Sequence, residues 1–416
     1  MPTTTRRRRS PARRRTEGGA PMPALDGMRV LDMTQYEAGT SCTQALAWQG
    51  ADVVKVEPPG VGDPGRGLTT EGRPPQYFLN YNSNKRSIVI DLSTDRGRDL
   101  LLDLVPRFDV FVENYGPGVI EKLGIGYEVL REHNPSIIYA RIKGFGLSGP
   151  YADFKCFDSV ALAAGGAFSI NGEPDGPPMR PGATFGDTGT GIQMAFAIVS
   201  AYVQQQRTGE GQLIELSMQE AVTFFMKTIG RDAWGSEREA PRLGNGLGAP
   251  TNVYPCKPGG PNDYVHICVV TSRMWDTFCV AIDRPDLATD PRFETAAMRR
   301  KHQPELYAEV EKWTRERTKY EAMQTLASAG VPTTAVLSTR DLRTDPHLCE
   351  RGLFEHHEHP EYGEIELMRQ PLRMSGSHVP IELAPSYGEH TSEVLAADLG
   401  LASEQIEELC AAGVVA

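Results

Sequence analysis

The stretch that decides the fold is Met28–Glu57, with the sequence MRVLDMTQYEAGTSCTQALAWQGADVVKVE. It opens with the apolar run Met28–Asp32, which is typical of a β-strand. A helical pattern follows from Cys42 to Gln49, and a second β-branched run occupies Asp52–Val56. A strand, a helix and a strand in this order indicate the repeating unit of an α/β sheet.

The same alternation continues from Leu25 to about Glu220, and no internal sequence repeat accompanies it. The further predicted strands are Ser87–Asp91, Val110–Glu113, Ile137–Arg141 and Gln212–Leu216. Apolar strands interleaved with amphipathic helices predict an α/β fold built on a doubly wound, largely parallel sheet. Ligands of such sheets bind at the carboxyl ends of the strands, so the search for a site begins there.

Length and composition predict a two-domain globular protein of 416 residues, with 40% hydrophobic and 23% charged residues. No run of 18 apolar residues occurs, so we predict no membrane span. The seven cysteines are scattered, odd in number and without a CxxC pair, which argues against a disulfide framework or a zinc site and favours the reducing cytoplasm. Cys156 is a candidate reactive thiol, but no base is indicated near it, and we interpret it as non-functional.

The first twenty residues differ in charge from the remainder of the chain. Arg6–Arg9 and Arg13–Arg15 are balanced only by Glu17, whereas the whole chain has a net charge of −11. A basic arm of this kind would suit nucleic acid or an anionic membrane surface. Because the rest of the chain is acidic, we predict neither partner, and we expect a disordered tail before a functional start near Met22.

Asp187 is the leading candidate for chemistry, in the glycine-rich stretch Gly186–Gly191 (GDTGTG). The apolar periodicity from Gly191 to Gln206 predicts a helix, so Asp187 lies just before a helix N-terminus. Unpaired N–H groups and the helix dipole keep a carboxylate ionised there, and small neighbours leave it open to a bulky electrophile. From these residues alone a simple N-cap is the favoured interpretation, with a nucleophile as the alternative.

Two motifs do not support a cofactor. Gly144–Gly149 (GFGLSG) matches GxGxxG after a strand, but Pro150 follows and no helix opens there, so NAD binding is not predicted. His356–His359 (HHEH) lacks helical pairing, and we interpret it as a polar loop and predict no metal.

Basic and amide side chains near strand ends are candidates for binding a phosphorylated, acyl-carrying ligand. They are Lys55, Lys85, Arg86, Asn114 and Lys155. A pyrophosphate or 3′-phosphate suits such groups, although each basic residue taken alone is better interpreted as a solvated surface charge.

A family resemblance rests on short stretches in a fixed order. They are Leu25–Gly27, Gly50–Glu57, Asn84–Ile88, Val112–Gly118, Gly144–Gly146, Gly186–Asp187, Gly209–Gln212 and Gly388–Thr391. In these, the chain resembles class III CoA-transferases of the formyl-CoA transferase and carnitine CoA-transferase type, from about residue 24 to the C-terminus.

The resemblance implies a Rossmann-like, doubly wound large domain and a smaller α+β domain, in a homodimer whose subunits interlock. The implied division is a tail at 1–23, the first part of the large domain at 24–225, a linker at 226–244, the small domain at 245–340, and a return linker with the rest of the large domain at 341–416. The substrates would be an acyl-CoA and a carboxylic acid.

The resemblance also implies covalent catalysis by Asp187. Its carboxylate would attack the donor thioester, giving a mixed anhydride and then an aspartyl-CoA thioester, from which the acceptor acid takes CoA. Gly189 and Gly191 would allow close approach, and backbone N–H groups would hold the oxyanions. The implied CoA contacts are Glu37, Ala38, Ile90, Asp91, Leu92, Asn114, Tyr115, Gly116, Lys122, Lys155, Cys156, Phe157 and Asp158.

Two departures from formyl-CoA transferase argue against oxalate and formate as substrates. Glu37 stands where that enzyme has a glutamine, and an ionised carboxylate cannot donate a hydrogen bond to an oxyanion. Glu37 is therefore protonated, selects the acceptor or has another role. The substrate loop Gly244–Ala249, with Gly246, Gly248 and Ala249, replaces a polyglycine flap.

Two alternative activities remain. An acyl-CoA racemase of the same fold needs a histidine where this chain has Phe157, and phenylalanine cannot carry a proton. A non-catalytic CoA-binding member is the other alternative, which the retained Asp187 disfavours.

Overall fold

The computed structural model describes residues 22–231, 233–246 and 248–416. The predicted disordered tail at 1–23 therefore lies outside the described residues, apart from Met22 and Pro23. The strands in chain order are β1 (Arg29–Met33), β2 (Asp52–Glu57), β3 (Lys85–Val89), β4 (Val110–Glu113), β5 (Ile138–Lys143), β6 (Gln212–Ser217), β7 (Asn252–Pro255), β8 (Tyr264–Ile267), β9 (Thr333–Ala335), β10 (Phe354–His359) and β11 (Gly363–Met368).

The helices carry the remaining regular structure. In chain order they are α1 (Ala38–Ala47), α2 (Gln76–Asn82), α3 (Asp95–Leu104), α4 (Val119–Lys122), α5 (Tyr127–His133), α6 (Asp158–Ala164), α7 (Thr188–Thr208), α8 (Met218–Phe225), α9 (Lys227–Gly230), α10 (Ser272–Ala281), α11 (Asp286–Thr289), α12 (Ala296–Lys301), α13 (Gln303–Arg315), α14 (Lys319–Ser328), α15 (Thr339–Thr344), α16 (Pro346–Glu350), α17 (Thr391–Leu399) and α18 (Ser403–Ala411).

The central sheet has the strand order β3-β2-β1-β4-β5-β6, and each neighbouring pair is parallel. The predicted parallel α/β sheet is confirmed, and each of its six predicted strands is found within two residues of its predicted ends. The order reverses between β1 and β4, which makes that pair the switch point where open sheets of this kind bind ligands. The site should therefore lie beyond Met33 and Glu113, the last residues of these two strands.

The four inner strands β2, β1, β4 and β5 are buried almost throughout because helices cover the sheet, whereas the edge strand β6 is partly exposed. Leu31, Val54, Ile88 and Phe111 are fully buried in a core that α3, α5, α17 and α18 help to form. A fully buried strand loses the alternation of apolar and polar residues, which explains the continuous apolar runs of the sequence.

The chain forms two compact units. The first contains residues 22–156, 187–218 and 356–416, with the parallel sheet and the two-stranded sheet β10-β11. The second contains the described residues of 157–186 and 219–355, with the antiparallel sheet β7-β8-β9 and an apolar core around Trp275, Phe278 and Leu306. The predicted division put residues 157–186 and 219–225 in the large domain, 226–244 in a linker and 341–355 in the return segment, whereas these ranges fall in the second unit.

The helix that follows Asp187 is longer than predicted. It runs from Thr188 to Thr208, whereas the sequence predicted Gly191 to Gln206. Glycine weakens a helix interior, so the GTG segment looked like a loop, but Gly191 is buried and packs against α1. Among the helices of the described residues, none has the length and apolar character needed to cross a bilayer.

Candidate active site

The loops that follow β1 and β4 are joined to each other at the switch point. The Asn114 side chain accepts a hydrogen bond from the Gln35 N–H at 2.8 Å and donates one to the Gln35 carbonyl at 2.9 Å. Asn114 follows β4 directly, and Gln35 precedes the α1 helix. This pair of bonds fixes the backbone that leads into Glu37 and Ala38, two of the residues predicted to contact CoA.

Asp187 is placed beside this loop by the start of α7. It occupies the N-cap position, and its backbone carbonyl accepts the first helical hydrogen bond from the Gly191 N–H at 2.9 Å. Its side chain accepts no capping hydrogen bond, so the capping interpretation is right for the position and wrong for the carboxylate. The residue is half-buried.

Glu37 is joined to the residue that follows Asp187. The Thr188 hydroxyl donates a hydrogen bond of 2.7 Å to Glu37 Oε1, and Glu37 is only 4% exposed. Thr188 could not be singled out from the sequence, because a threonine in the first turn of a helix is common and carries no signal of its own. The contact brings the carboxylates of Glu37 and Asp187 into one region of the first unit.

Gly191 permits this arrangement by letting α7 approach α1 closely. A Cβ atom at Gly191 would lie 2.6 Å from the Ala38 carbonyl oxygen and 3.0 Å from the Cys42 backbone nitrogen. The sequence predicted that Gly191 admits the ligand. That role stays a prediction. In the structure, the missing side chain of Gly191 allows two helices to pack, with Asp187 near the end of one and Glu37 at the end of the other.

Tyr77, on α2, is close enough to both carboxylates to feel their charge, and it was not among the residues predicted from the sequence. Burial raises the pKa of the Tyr77 hydroxyl, and the negative charges of Glu37 and Asp187 raise it further. The phenol therefore stays protonated at neutral pH and is a hydrogen-bond donor in a region rich in carboxylates. Its ring packs against the backbone of Gly65, where a Cβ atom would come within 3.2 Å.

Lys55 and Lys85 have structural roles, which corrects the prediction that they bind phosphate or lie in solvent. Lys55 Nζ is 2.7 Å from Asp63 Oδ2, and Lys85 Nζ is 3.1 Å from Asp32 Oδ2. Both lysine side chains are at most 1% exposed. Each ammonium group is therefore held inside the first unit and cannot reach a ligand phosphate.

The Lys55–Asp63 pair supports the loop that carries Glu37. Lys55 donates a 2.7 Å hydrogen bond to the Thr34 carbonyl, and Asp63 Oδ1 accepts a 3.2 Å bond from the N–H of Tyr36, whose φ is +58°. Burial alone would lower the pKa of Lys55, but the charges of Asp63, Asp32 and Glu57 raise it above the usual value. Lys55 is therefore charged at neutral pH, and the pair clamps the loop on both sides of Gln35.

Replacing Lys55 with methionine is expected to destabilise the first unit by about 3–5 kcal/mol, because it leaves the Asp63 carboxylate buried and without its cation. Urea-induced unfolding followed by circular dichroism measures the loss. The double variant Lys55→Met/Asp63→Leu removes both charges and should recover much of the stability. A double variant no more stable than Lys55→Met would contradict the ion-pair assignment.

The other residues of the first unit that were predicted to contact CoA differ in how exposed they are to solvent. Ile90 and Leu92 are buried in the core, so their side chains do not face a ligand, and a contact there would need the backbone or Asp91. Asp91 is half-buried and accepts a 2.6 Å hydrogen bond from the Ser93 hydroxyl. Lys122 is exposed at the end of α4, as a phosphate contact requires.

The remaining predicted contacts of this unit lie after β4 and β5. Tyr115 is half-buried beside Gln35, whereas Gly116 is exposed and has open space where a Cβ atom would stand. Lys155 is exposed, and Cys156 is half-buried. The structure thus gathers Glu37, Ala38, Asn114, Tyr115 and Asp187 around the switch point.

The predicted residues of the second unit have local surroundings of their own. Phe157 is 60% exposed, and the buried Asp158 begins α6 with Oδ2 3.6 Å from Arg180 Nη2. In the substrate loop, Gly248 has a φ of +108° and forms an isolated bridge with Thr251. A positive φ of this size disfavours any residue with a side chain at position 248.

The two rejected motifs have structural explanations. The Cβ position of Gly144 faces the Cys156 side chain, and Gly146 has a φ of +86°, so these glycines serve packing and a turn. The histidine-rich segment is strand β10, which corrects the prediction of a loop. His356 Nδ1 lies 2.9 Å from Glu364 Oε1, and His359 stacks on Tyr362. No group of three metal-ligating side chains is found within the described residues.

Comparisons with known proteins agree with this architecture. The model of CoA-transferase family III matches residues 25–391. A formyl-CoA:oxalate CoA-transferase of Streptomyces avermitilis is 40% identical over 409 residues, covering 94% of this chain and 99% of the relative. A protein of the same name from Rhodopseudomonas palustris (strain BisA53) is 39% identical, covering 93% and 96%.

Solved structures give the same assignment at the level of the fold. A CAIB/BAIF family protein from Brucella suis matches with a TM-score of 0.81 and 30% identity, covering 91% of this chain and 100% of that one. The hypothetical protein Rv3272 from Mycobacterium tuberculosis matches with a TM-score of 0.78 and 29% identity, covering 90% and 99%.

Proposed function

This chain belongs to CoA-transferase family III, and on that premise we propose that it transfers coenzyme A from an acyl-CoA donor to a carboxylic acid through covalent intermediates on Asp187. The observation that carries the proposal is the position of Asp187. It begins α7 without capping it and lies beside the loops that follow the two strands of the switch point.

The proposed first half-reaction transfers CoA to the enzyme. An Asp187 carboxylate oxygen attacks the thioester carbonyl carbon of the donor, the C–S bond breaks, and CoA leaves as the thiolate. The thiolate then attacks the aspartyl carbonyl carbon of the mixed anhydride. The donor acid departs with the former Asp187 oxygen, leaving an aspartyl-CoA thioester.

The second half-reaction repeats these steps in reverse order. The acceptor carboxylate attacks the aspartyl thioester carbonyl and expels CoA thiolate, which then attacks the acceptor carbonyl of the new anhydride. The acyl-CoA product leaves, and Asp187 recovers a carboxylate containing one oxygen from the acceptor. The Tyr77 hydroxyl is the proposed donor to oxyanions in these steps, since it remains protonated beside Asp187.

Oxygen labelling tests this sequence of steps. An acceptor acid labelled with ¹⁸O in both carboxylate oxygens should leave one ¹⁸O in Asp187 after a single turnover, adding 2 Da to the peptide that contains it, and repeated turnover should approach 4 Da. Hydroxylamine added after the acyl-CoA should also form a hydroxamate at Asp187, visible by mass spectrometry. Product formation without label at Asp187 would exclude the covalent route.

The proposal includes a homodimer with interlocked subunits, in the cytoplasm. Its support in the first unit is the outer side of α7, where Ile192, Phe196 and Val203 are 52%, 76% and 44% exposed. Large apolar side chains in one row on a helix indicate a protein interface. Light scattering should give twice the chain mass of 45.6 kDa, and a monomer at micromolar concentration would contradict the dimer.

Racemisation is not part of the proposal. Proton removal and return at the α-carbon needs an ionisable group, and Phe157 supplies none. Incubation of an α-methylacyl-CoA in D₂O should therefore leave the α-hydrogen unexchanged.

A further inference from the structure

A second carboxylate, that of Glu37, is fixed beside the nucleophile. The residue is 4% exposed, and its Oε1 is held 2.7 Å from the hydroxyl of Thr188, the residue next to Asp187. The close packing of Gly191 on the Ala38 carbonyl keeps the ends of both helices in place. Glu37 is therefore fixed next to the helical turn that begins at Asp187.

The buried lysines of this region are already engaged with other acids. Lys55 Nζ lies 2.7 Å from Asp63, and Lys85 Nζ lies 3.1 Å from Asp32, so neither ammonium group is positioned to receive a substrate carboxylate. The charges of Glu37 and Asp187 also act together on Tyr77. Burial raises the pKa of the Tyr77 hydroxyl, and both carboxylates raise it further. The neighbours of Asp187 described above thus include a second carboxylate and a protonated phenol.

We propose that Glu37 determines acceptor specificity by selecting monocarboxylic acids over acids with a second carboxylate near the reacting one. The inference rests on the proposed function, since it concerns the acid that discharges the aspartyl-CoA thioester. Asp187 is a neutral thioester in that intermediate, which leaves Glu37 as the carboxylate beside the reacting acid. A second carboxylate about 6 Å from Glu37, at an effective dielectric constant of about 20, would be disfavoured about 100-fold.

The test compares acids of equal carbon number in wild type and Glu37→Gln. The acceptors are propanoate with malonate, butanoate with succinate, and further pairs up to eight carbons. The readout is the ratio of kcat/KM for the dicarboxylic acid to that for the monocarboxylic acid. A glutamine keeps an oxygen that accepts from Thr188 but loses the charge, so the ratio is expected to rise about 10- to 100-fold.

Two further variants separate charge from structure. Glu37→Asp retains the charge and should keep the wild-type preference, even if its overall rate falls. Glu393→Gln removes a carboxylate that is 63% exposed on α17, and its ratio should equal that of the wild type. A folding defect would lower all rates together and leave the ratio unmoved.

The outcomes distinguish this inference from the proposed function. A wild-type enzyme that prefers dicarboxylic acids, or a ratio unchanged in Glu37→Gln, would overturn the role of Glu37 while leaving CoA transfer intact. Failure of every acid to discharge CoA from the wild-type enzyme, with no hydroxamate at Asp187, would instead overturn the proposed function.

Discussion

Replacing Asp187 with alanine is expected to lower CoA transfer by at least about 10³-fold, because no carboxylate remains to form the anhydride or the thioester. The loss of about 1 kcal/mol that follows removal of a working N-cap is not expected, since the Asp187 side chain makes no capping hydrogen bond at α7. The measurements are the rate of acyl-CoA formation from a labelled acid and the urea midpoint of the same sample. A large loss of rate at an unchanged midpoint is the expected pair of results.

The opposite pair of results would restore the capping interpretation. Removing a working N-cap costs about 1 kcal/mol of stability and need not affect chemistry. Asp187→Asn provides the matched control, since asparagine caps as well as aspartate but cannot form the anhydride. An active Asp187→Asn variant, without deamidation detected by mass spectrometry, would show that the carboxylate is not the nucleophile.

The sheet could be predicted from the sequence because its signal is local. Runs such as Val110–Glu113 combine β-branched and aromatic residues over a few positions, and burial on both faces keeps them apolar. The strand order could be expected only in part, since pairing depends on contacts between distant segments. The switch point between β1 and β4 emerged from the structure.

The roles of the basic residues could not be predicted, because their partners are remote in sequence. Lys85 contacts Asp32 across 53 positions, and a lysine at a strand end looks the same whether it faces solvent, phosphate or a buried acid. Tyr77 was missed for a related reason. Its helix, α2, has only seven residues, and Phe78 and Leu79 follow the tyrosine directly, so Tyr77 resembles one more core residue and no periodic pattern singles it out.

The position of Asp187 was partly predictable, and its neighbours were not. Glycines around an acid indicated an open carboxylate, but the same pattern hid the first turn of α7. The contact between Thr188 and Glu37 spans 151 positions and depends on how two helices pack. Such packing is a tertiary property, which the spacing of glycines along one helix does not reveal.

Replacing Gly191 with alanine is therefore expected to damage both stability and activity. The new Cβ atom would meet the Ala38 carbonyl at 2.6 Å, and backbone atoms cannot rotate away as a side chain can. The helices must move apart, at a cost of about 3 kcal/mol, the upper part of the usual range for overpacking. This movement would separate Asp187 from the loop after β1, so turnover should fall by about 10²-fold.

Gly126→Ala is the matched control for this change. Gly126 is the N-cap of α5, with a φ of −68° and no atom within 4 Å of its Cβ position, so alanine meets no steric clash and should cost no more than about 1 kcal/mol, from the lost N-cap preference for glycine. If Gly191 instead served only to admit the ligand, Gly191→Ala would raise KM at an unchanged urea midpoint. A lower midpoint together with a lower kcat is the result that helix packing requires, since it changes the protein before any substrate binds.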